Sequence, residues 1–209
     1  MTHLANVTAT GSLIRWARQE NADAIARLFL VSSDGLAAYI WNGMDESGRS
    51  LREIGAARYA RTGTAFSYEN CLVACRHGQV VGMAHAFEMN ADPDAEPESD
   101  PVLRPYAELE DPGSLYVSGL AVDEAHRGHG IGSDLMDHVE SLAIAKGLSR
   151  ISLICFERNT RALAFYRRRG FVEIDRRPIV PHESLSYKDG DALLMVQDLS
   201  LVRARSVLG

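Results

Sequence analysis

The stretch Leu120-Ala121-Val122-Asp123-Glu124-Ala125-His126-Arg127-Gly128-His129-Gly130-Ile131-Gly132 constrains this chain more than any other. A strand ends there in a turn carrying glycines at 128, 130 and 132. The sequence then passes at once into an amphipathic helix whose apolar positions, Ile131, Leu135, Met136, Val139, Leu142 and Ala143, recur with helical period. Glycines let the backbone curl and approach a ligand closely. The amides of the turn can then converge at the positive end of the following helix. That arrangement suits a phosphate or pyrophosphate. A tight strand-to-helix turn with no ligand is the plainer reading, and three glycines beside Arg127 weigh against it.

Two familiar phosphate motifs fail on spacing. A P-loop needs Gly-Lys-Ser/Thr at its end, whereas Gly132 is followed by Ser133-Asp134. A dinucleotide fingerprint needs its third glycine one position later, in the first strand-helix unit of the chain, with an acid ending the next strand. Glu157 imitates that acid, but the glycine spacing and the late position disagree.

The remaining pattern alternates strands and helices. Leu13 to Ala17 reads as a short strand. Asn21 or Asp23 then caps a helix with Ile25, Leu28 and Phe29 on one face, and helical stretches follow around Leu36, Tyr39 and Ile40 and around Leu51, Ile54 and Ala57. Cys71 to Arg76 and Val80 to Met89 form a hairpin across His77-Gly78. Ser114 to Val122 is a strand, Gly147 ends the long helix, and Ile151 to Phe156 is apolar enough to be buried on both faces. Thr160 to Arg169 is a helix with Ala162, Leu163, Phe165 and Tyr166 inward and its arginines outward, closed by Gly170. Phe171 to Arg176 and Ala192 to Leu199 complete the strands. The fold class is therefore α/β, a mixed sheet flanked by helices.

With 209 residues, 46% of them hydrophobic, a single domain over 1–209 is expected. No apolar run reaches signal-peptide or membrane-span length, so a cytoplasmic protein without membrane attachment is the default. Cys71, Cys75 and Cys155 lie in apolar segments, as buried thiols do. The net charge of -6 is concentrated in one place. Residues 91–113 hold eight acids (Asp92, Asp94, Glu96, Glu98, Asp100, Glu108, Glu110 and Asp111), one base (Arg104) and five of the seven prolines. The rest is close to neutral and shows no basic stripe for nucleic acid. This insertion is expected to be irregular, either a solvated flap or a substrate lid. Residues 200–209 read as a C-terminal tail.

At this point the chain resembles the GNAT superfamily of N-acetyltransferases. The family's cofactor motif, Arg/Gln-x-x-Gly-x-Gly/Ala at a helix start, is matched by Arg127, Gly130 and Gly132. A second motif, a strand followed by Asn and a helix ending in Phe-Tyr-x-x-x-Gly-Phe, is matched by Asn159, Ala162, Phe165, Tyr166, Gly170 and Phe171. The resemblance implies a mostly antiparallel sheet with a splayed central strand pair, and acetyl-CoA as cofactor. It implies that Leu120, Ala121 and Val122 bond the arm of the coenzyme A, with Gly119 the place of a strand bulge. The pyrophosphate would lie on Arg127, Gly128, His129, Gly130, Ile131, Gly132 and Ser133, and Asn159, Ala162, Phe165 and Tyr166 would line the path of the arm.

Attack by an amine on the thioester expels a thiolate, and Tyr166 stands at the family's position for the acid that protonates it. Family members often carry a glutamate on the splayed strand. Here Tyr116 occupies that place, so Glu88 on the adjacent strand is the candidate base, with Tyr116 and Ser118 as positioning groups. His85 reads as a core histidine, and His126 and His129 lack a third ligand, so no metal is expected. The family's acceptor pocket corresponds to Tyr39, Trp41, Phe66, Tyr68 and parts of the acidic loop. The acceptor would be a small-molecule or peptide amine, and an acidic lid would favour a cationic one. Frequent dimers in the family leave a homodimer as one option. Two further readings stay open: a catalytically silent acyl-CoA-binding regulatory module, and a dinucleotide-binding oxidoreductase.

Overall fold

The helical spacing of Ile25, Leu28 and Phe29 is realised in α1 (Ala22–Ser32), where all three are buried. The computed structural model of the chain describes residues 6–8, 11–44, 48–94 and 96–200, so the expected tail over 200–209 lies, beyond Ser200, outside the described residues. The chain divides into two units. One comprises residues up to Ala86 together with Gly119–Val139, and the other comprises Phe87–Ser118 together with the residues from Glu140 onward.

In the first unit β1 (Asn6–Val7), β2 (Leu13–Trp16), β3 (Cys71–Arg76) and β4 (Gln79–Glu88) pair antiparallel in chain order. β1 lies in a stretch that composition marked only as polar. Asn21 precedes α1, but its side chain caps nothing in the helix. Its Oδ1 instead accepts from the Arg18 amide and the Arg15 guanidinium, both at 3.0 Å, and so pins the turn that leads in. α2 (Leu36–Asn42) and α3 (Leu51–Tyr59) follow. α3 opens with a reciprocal Ser50 and Glu53 capping box, which satisfies two otherwise orphaned amides. The core gathers Ile25, Phe29, Trp41, Tyr59, Val73 and Met83, each worth about 1.5–3 kcal/mol of apolar burial. α3 approaches so closely at Gly55 that a Cβ there would lie 2.3 Å from the Trp41 ring.

The second unit contains the first half of β5 (Leu115–Val122), which runs parallel to β6 (Arg150–Phe156). Their ladder stops at Val117↔Leu153, while β6 continues to Phe156 along β8 (Asp191–Asp198). β8 pairs in turn with β7 (Val172–Pro178), and both of those pairings are antiparallel. A parallel pair requires a crossover, and the chain between β5 and β6 carries α5 (Ile131–Ala145). α5 and α6 (Thr160–Arg168) end alike. The Leu148 amide bonds the Ala143 carbonyl around Gly147, and the Phe171 amide bonds the Tyr166 carbonyl around Gly170. Both glycines are left-handed, the signature of a Schellman stop, as the sequence suggested. The expected mixed α/β architecture, mostly antiparallel and accompanied by helices, is thus observed.

Two expectations change. The acidic segment is not irregular throughout, because Asp100 Oδ1 accepts from the Val102 amide and a helical turn, α4 (Arg104–Ala107), follows with Pro105 in its first positions. Val102, Pro105 and Leu109 are buried, so this part of the insertion is packed and is no solvated flap. Gly119 has a packing role that the sequence did not suggest. A Cβ there would meet the Phe29 ring at 2.9 Å, so the glycine serves close packing of α1. At Gly113, whose φ is 84°, the amide donates to the Met89 carbonyl while the Met89 amide donates to the Ser114 carbonyl, which gives the strand entry a G1-type bulge. Arg169, expected outward, is mostly buried and pairs with Glu140 at 2.6 Å, and Gln197 bonds the same carboxylate.

Candidate functional site

The turn after β5 is held from both sides within the first unit. The Asp123 amide donates to the Val81 carbonyl at 2.8 Å, and the Asp123 carboxylate is gripped by both terminal nitrogens of Arg27. Arg127 folds back so that its Nε donates to the Val122 carbonyl at 2.9 Å. Gly128 and Gly130 have φ of 81° and 80°, a region costly for other residues, and no atom lies within 4 Å of where a Gly128 Cβ would be. α5 starts at Ile131, with the Asp134 amide bonded to the Gly130 carbonyl. The amides of Ile131, Gly132 and Ser133 therefore precede the first helical bond and have no carbonyl one turn back. A polyanion fits this donor set: converging amides, an open approach at Gly128 and an arginine at the start of the turn. His129 Nδ1 lies 3.3 Å from the His126 carbonyl, and its ring is exposed.

Leu120 and Val122 alternate with Gly119 and Ala121 along β5, the first pair half-buried and the second buried. Val122 accepts from Arg127 through its carbonyl.

In the second unit Asn159 is the N-cap of α6, accepting the Ala162 amide at 3.1 Å. Its sequence position in the family motif thus has a structural role of its own. Within α6 only Leu163 is buried. Ala162, Phe165 and Tyr166 are half-buried, so their face is not sealed into the core as the inward pattern suggested. The Tyr166 ring packs edge-on to Phe165 and Phe171 at centroid distances of 5.4 and 5.6 Å.

A cavity of about 270 Å³ opens in the same unit, walled by Phe87, Glu88, Tyr106, Glu110, Tyr116 and Ile154 among others. It brings together Glu88 and Tyr116, two of the residues singled out in the sequence, while Ser118 and Tyr166 are not on its wall. Glu88 is exposed at the end of β4 and is ion-paired with Lys146. Tyr116 meets Phe87 edge-on at 5.6 Å. Its phenol is pushed well above the ordinary tyrosine range, first by burial and then by the negative field of Glu110.

The pocket anticipated around Trp41 is corrected. Trp41 is 2% exposed and stacks on Phe29 at 6.0 Å, so it is core. Phe66 packs against Phe29 and His85, with the Arg58 guanidinium 4.4 Å above its ring. His85 is the core histidine expected. Its Nε2 lies 2.9 Å from the Ala65 carbonyl, and burial lowers its pKa to about 4.

Sequence reasoning missed Arg27, the clamp on Asp123, and Glu110, which it counted only as one of eight acids. No local signal marks either, because Arg27 meets Asp123 far along the chain and Glu110 meets cavity-lining residues such as Phe87 and Ile154 only in the fold. Cys71, Cys75 and Cys155 are buried and are joined in no disulfide among the described residues. No group of three metal-binding side chains occurs among the described residues, and no described helix is long and apolar enough to cross a membrane.

With the geometry in hand, known proteins supply a frame. The model of the acetyltransferase (GNAT) family matches residues 41–171. A crystal structure of an acetyltransferase is 25% identical, covers 90% of this chain and 100% of its own, and superposes with a TM-score of 0.60. The N-acetyltransferase of Staphylococcus aureus Mu50 covers 90% of this chain and 98% of its own at 18% identity and TM-score 0.60. YncA from Salmonella typhimurium, solved with its cofactor acetyl-CoA, covers 90% of this chain and 94% of its own at 18% identity and TM-score 0.57. At such identity the last two speak for the fold. A comparison with curated proteins finds no match. The family model spans well over half of the sequence and includes the glycine turn and α6, so this chain belongs to the acetyltransferase (GNAT) family.

Proposed function

We propose that the protein is an N-acetyltransferase that moves the acetyl group of acetyl-CoA to a primary amine of a small molecule or peptide, by direct attack in a ternary complex. The observation that carries this reading is the pair of left-handed glycines, Gly128 and Gly130, feeding the open amides of a 15-residue helix in a chain of this family. The acetyl-CoA held by the Salmonella neighbour supports the choice of donor. When bound, acetyl-CoA supplies an activated thioester.

The chain's own residues then divide the work. The amides from Gly128 to Ser133, with Arg127 and His129, receive the pyrophosphate. Leu120, Ala121 and Val122 offer backbone groups to the arm, and Asn159, Ala162 and Phe165 line it. Tyr166 donates the proton that the departing sulfur needs. Glu88 takes the proton of the amine, directly or through water, and Tyr116 and Ser118 position the acceptor. Glu88 is ion-paired with Lys146, which would have to release it for that role.

The test is amine-dependent release of free thiol from acetyl-CoA, with Tyr166→Phe as the comparison. The variant is expected to lose about a hundredfold in kcat, within the range for removing a general acid, with the affinity for acetyl-CoA within twofold of wild type. Binding of acetyl-CoA with no release for any amine would leave the silent regulatory module. An unchanged kcat in the variant would remove Tyr166 from the acid role.

A further inference from the structure

The insertion before β5 carries eight acids, and the structure sorts its last three. Glu108 is bonded to the Arg177 guanidinium at 2.9 Å. Asp111 is held by two nitrogens of Arg150, at 2.8 and 2.9 Å, and the same arginine donates to the Pro112 carbonyl. Between these two neutralised carboxylates stands Glu110. It is exposed, as Glu96 is; among the described residues it has no cationic partner, and it lines the cavity. Buried Leu109 and the flanking ion pairs fix the backbone around it. The opposite sense of charge is absent from the wall: Glu88 is its other ionisable carboxylate, already matched by Lys146, and the remaining side chains named here are aromatic or apolar. Phe87, Tyr106 and Tyr116 add aromatic rings to the wall, a ring type whose π-face attracts a cation.

We infer that Glu110 is a specificity-determining residue. It selects primary amines that carry a second positive charge, held by its carboxylate against the aromatic wall while the first amine reacts. This rests on the N-acetyltransferase reading above. The attacking amine must be neutral at the moment of reaction, so a carboxylate with no cation of its own is suited to a charge elsewhere on the acceptor. Of the acids that composition could only count together, this singles out one.

The experiment uses the full chain, acetyl-CoA, and α,ω-diaminoalkanes of three to six carbons beside the amino alcohols of matching length, with thiol release as the readout. Wild type is expected to prefer the diamine by about threefold in kcat/KM at low salt, the scale of one exposed ion pair. About 1 M salt should shrink that preference. Glu110→Gln should lower the diamine value about threefold and so abolish the preference, leave the amino alcohol value unchanged, and leave acetyl-CoA binding by calorimetry unchanged. Glu96→Gln removes an equal charge from an exposed place in the same loop and should preserve the preference. A wild type without preference, a Glu110→Gln enzyme that keeps it, or a Glu96→Gln enzyme that loses as much would each overturn the inference. So would acetyl-CoA binding without turnover of any diamine, which leaves the cofactor reading standing. Failure to bind acetyl-CoA would overturn both.

Discussion

The loop that enters β5 and the turn that leaves it are both polar, and they are held in place by different means. In the exit turn, residues 123–130, the backbone sets the shape through Gly128 and Gly130 at φ near 80°, and one clamp from Arg27 to Asp123 fixes its base. In the entry loop, residues 91–113, side chains set the shape. Asp100 starts α4, Leu109 is buried, and Arg150 and Arg177, far away in sequence, hold Asp111 and Glu108. A backbone-built site presents amides, which suit a group common to many relatives. A side-chain-built site presents individual charges, which suit one acceptor. On the proposed function the two segments divide cofactor binding from acceptor choice, and perturbing one should leave the other's ligand untouched.

Asp123→Asn carries the larger expected effect. It removes the charge that Arg27 grips, in a pair whose side chains are only 33% and 25% exposed, and should weaken acetyl-CoA binding by about tenfold, or 1.4 kcal/mol. Calorimetry checks this, and an unchanged affinity would mean that the glycines alone shape the turn. Arg150→Met is the smaller perturbation. Its partner Asp111 is 14% exposed but the guanidinium is 39% exposed, so the loss of stability in urea should stay near or below about 1 kcal/mol. The acceptor KM should rise a few-fold while acetyl-CoA affinity stays constant. A greater effect on the cofactor than on the acceptor would break the division.

The same contrast explains what the sequence made legible. Periodicity located α1, α5 and α6, and glycines marked the ends of the last two, because those signals act within a few residues. The glycine turn was readable for the same reason: its geometry is encoded where it occurs. The packing of the insertion was not, since Val102, Leu109 and the arginine partners of Glu108 and Asp111 acquire meaning only after the chain has folded. Arg169 was misread as an outward helix-end cation because Glu140 and Gln197, which draw it inward, lie on other elements. Trp41 resembled a pocket aromatic, whereas contact with Phe29 and the bare Gly55 backbone makes it core. Gly119 leaves room for the Phe29 ring, a contact that no local signal shows.

The most direct test of the central claim is calorimetric titration of acetyl-CoA into wild type and into Gly130→Glu, which places a carboxylate at the proposed pyrophosphate site and a side chain where φ is 80°. The expected result is saturable binding by wild type and loss of at least about a hundredfold in the variant, with its circular dichroism and cooperative unfolding retained. Equal binding by both proteins, or no binding by wild type, would contradict the assignment of the glycine turn to the cofactor.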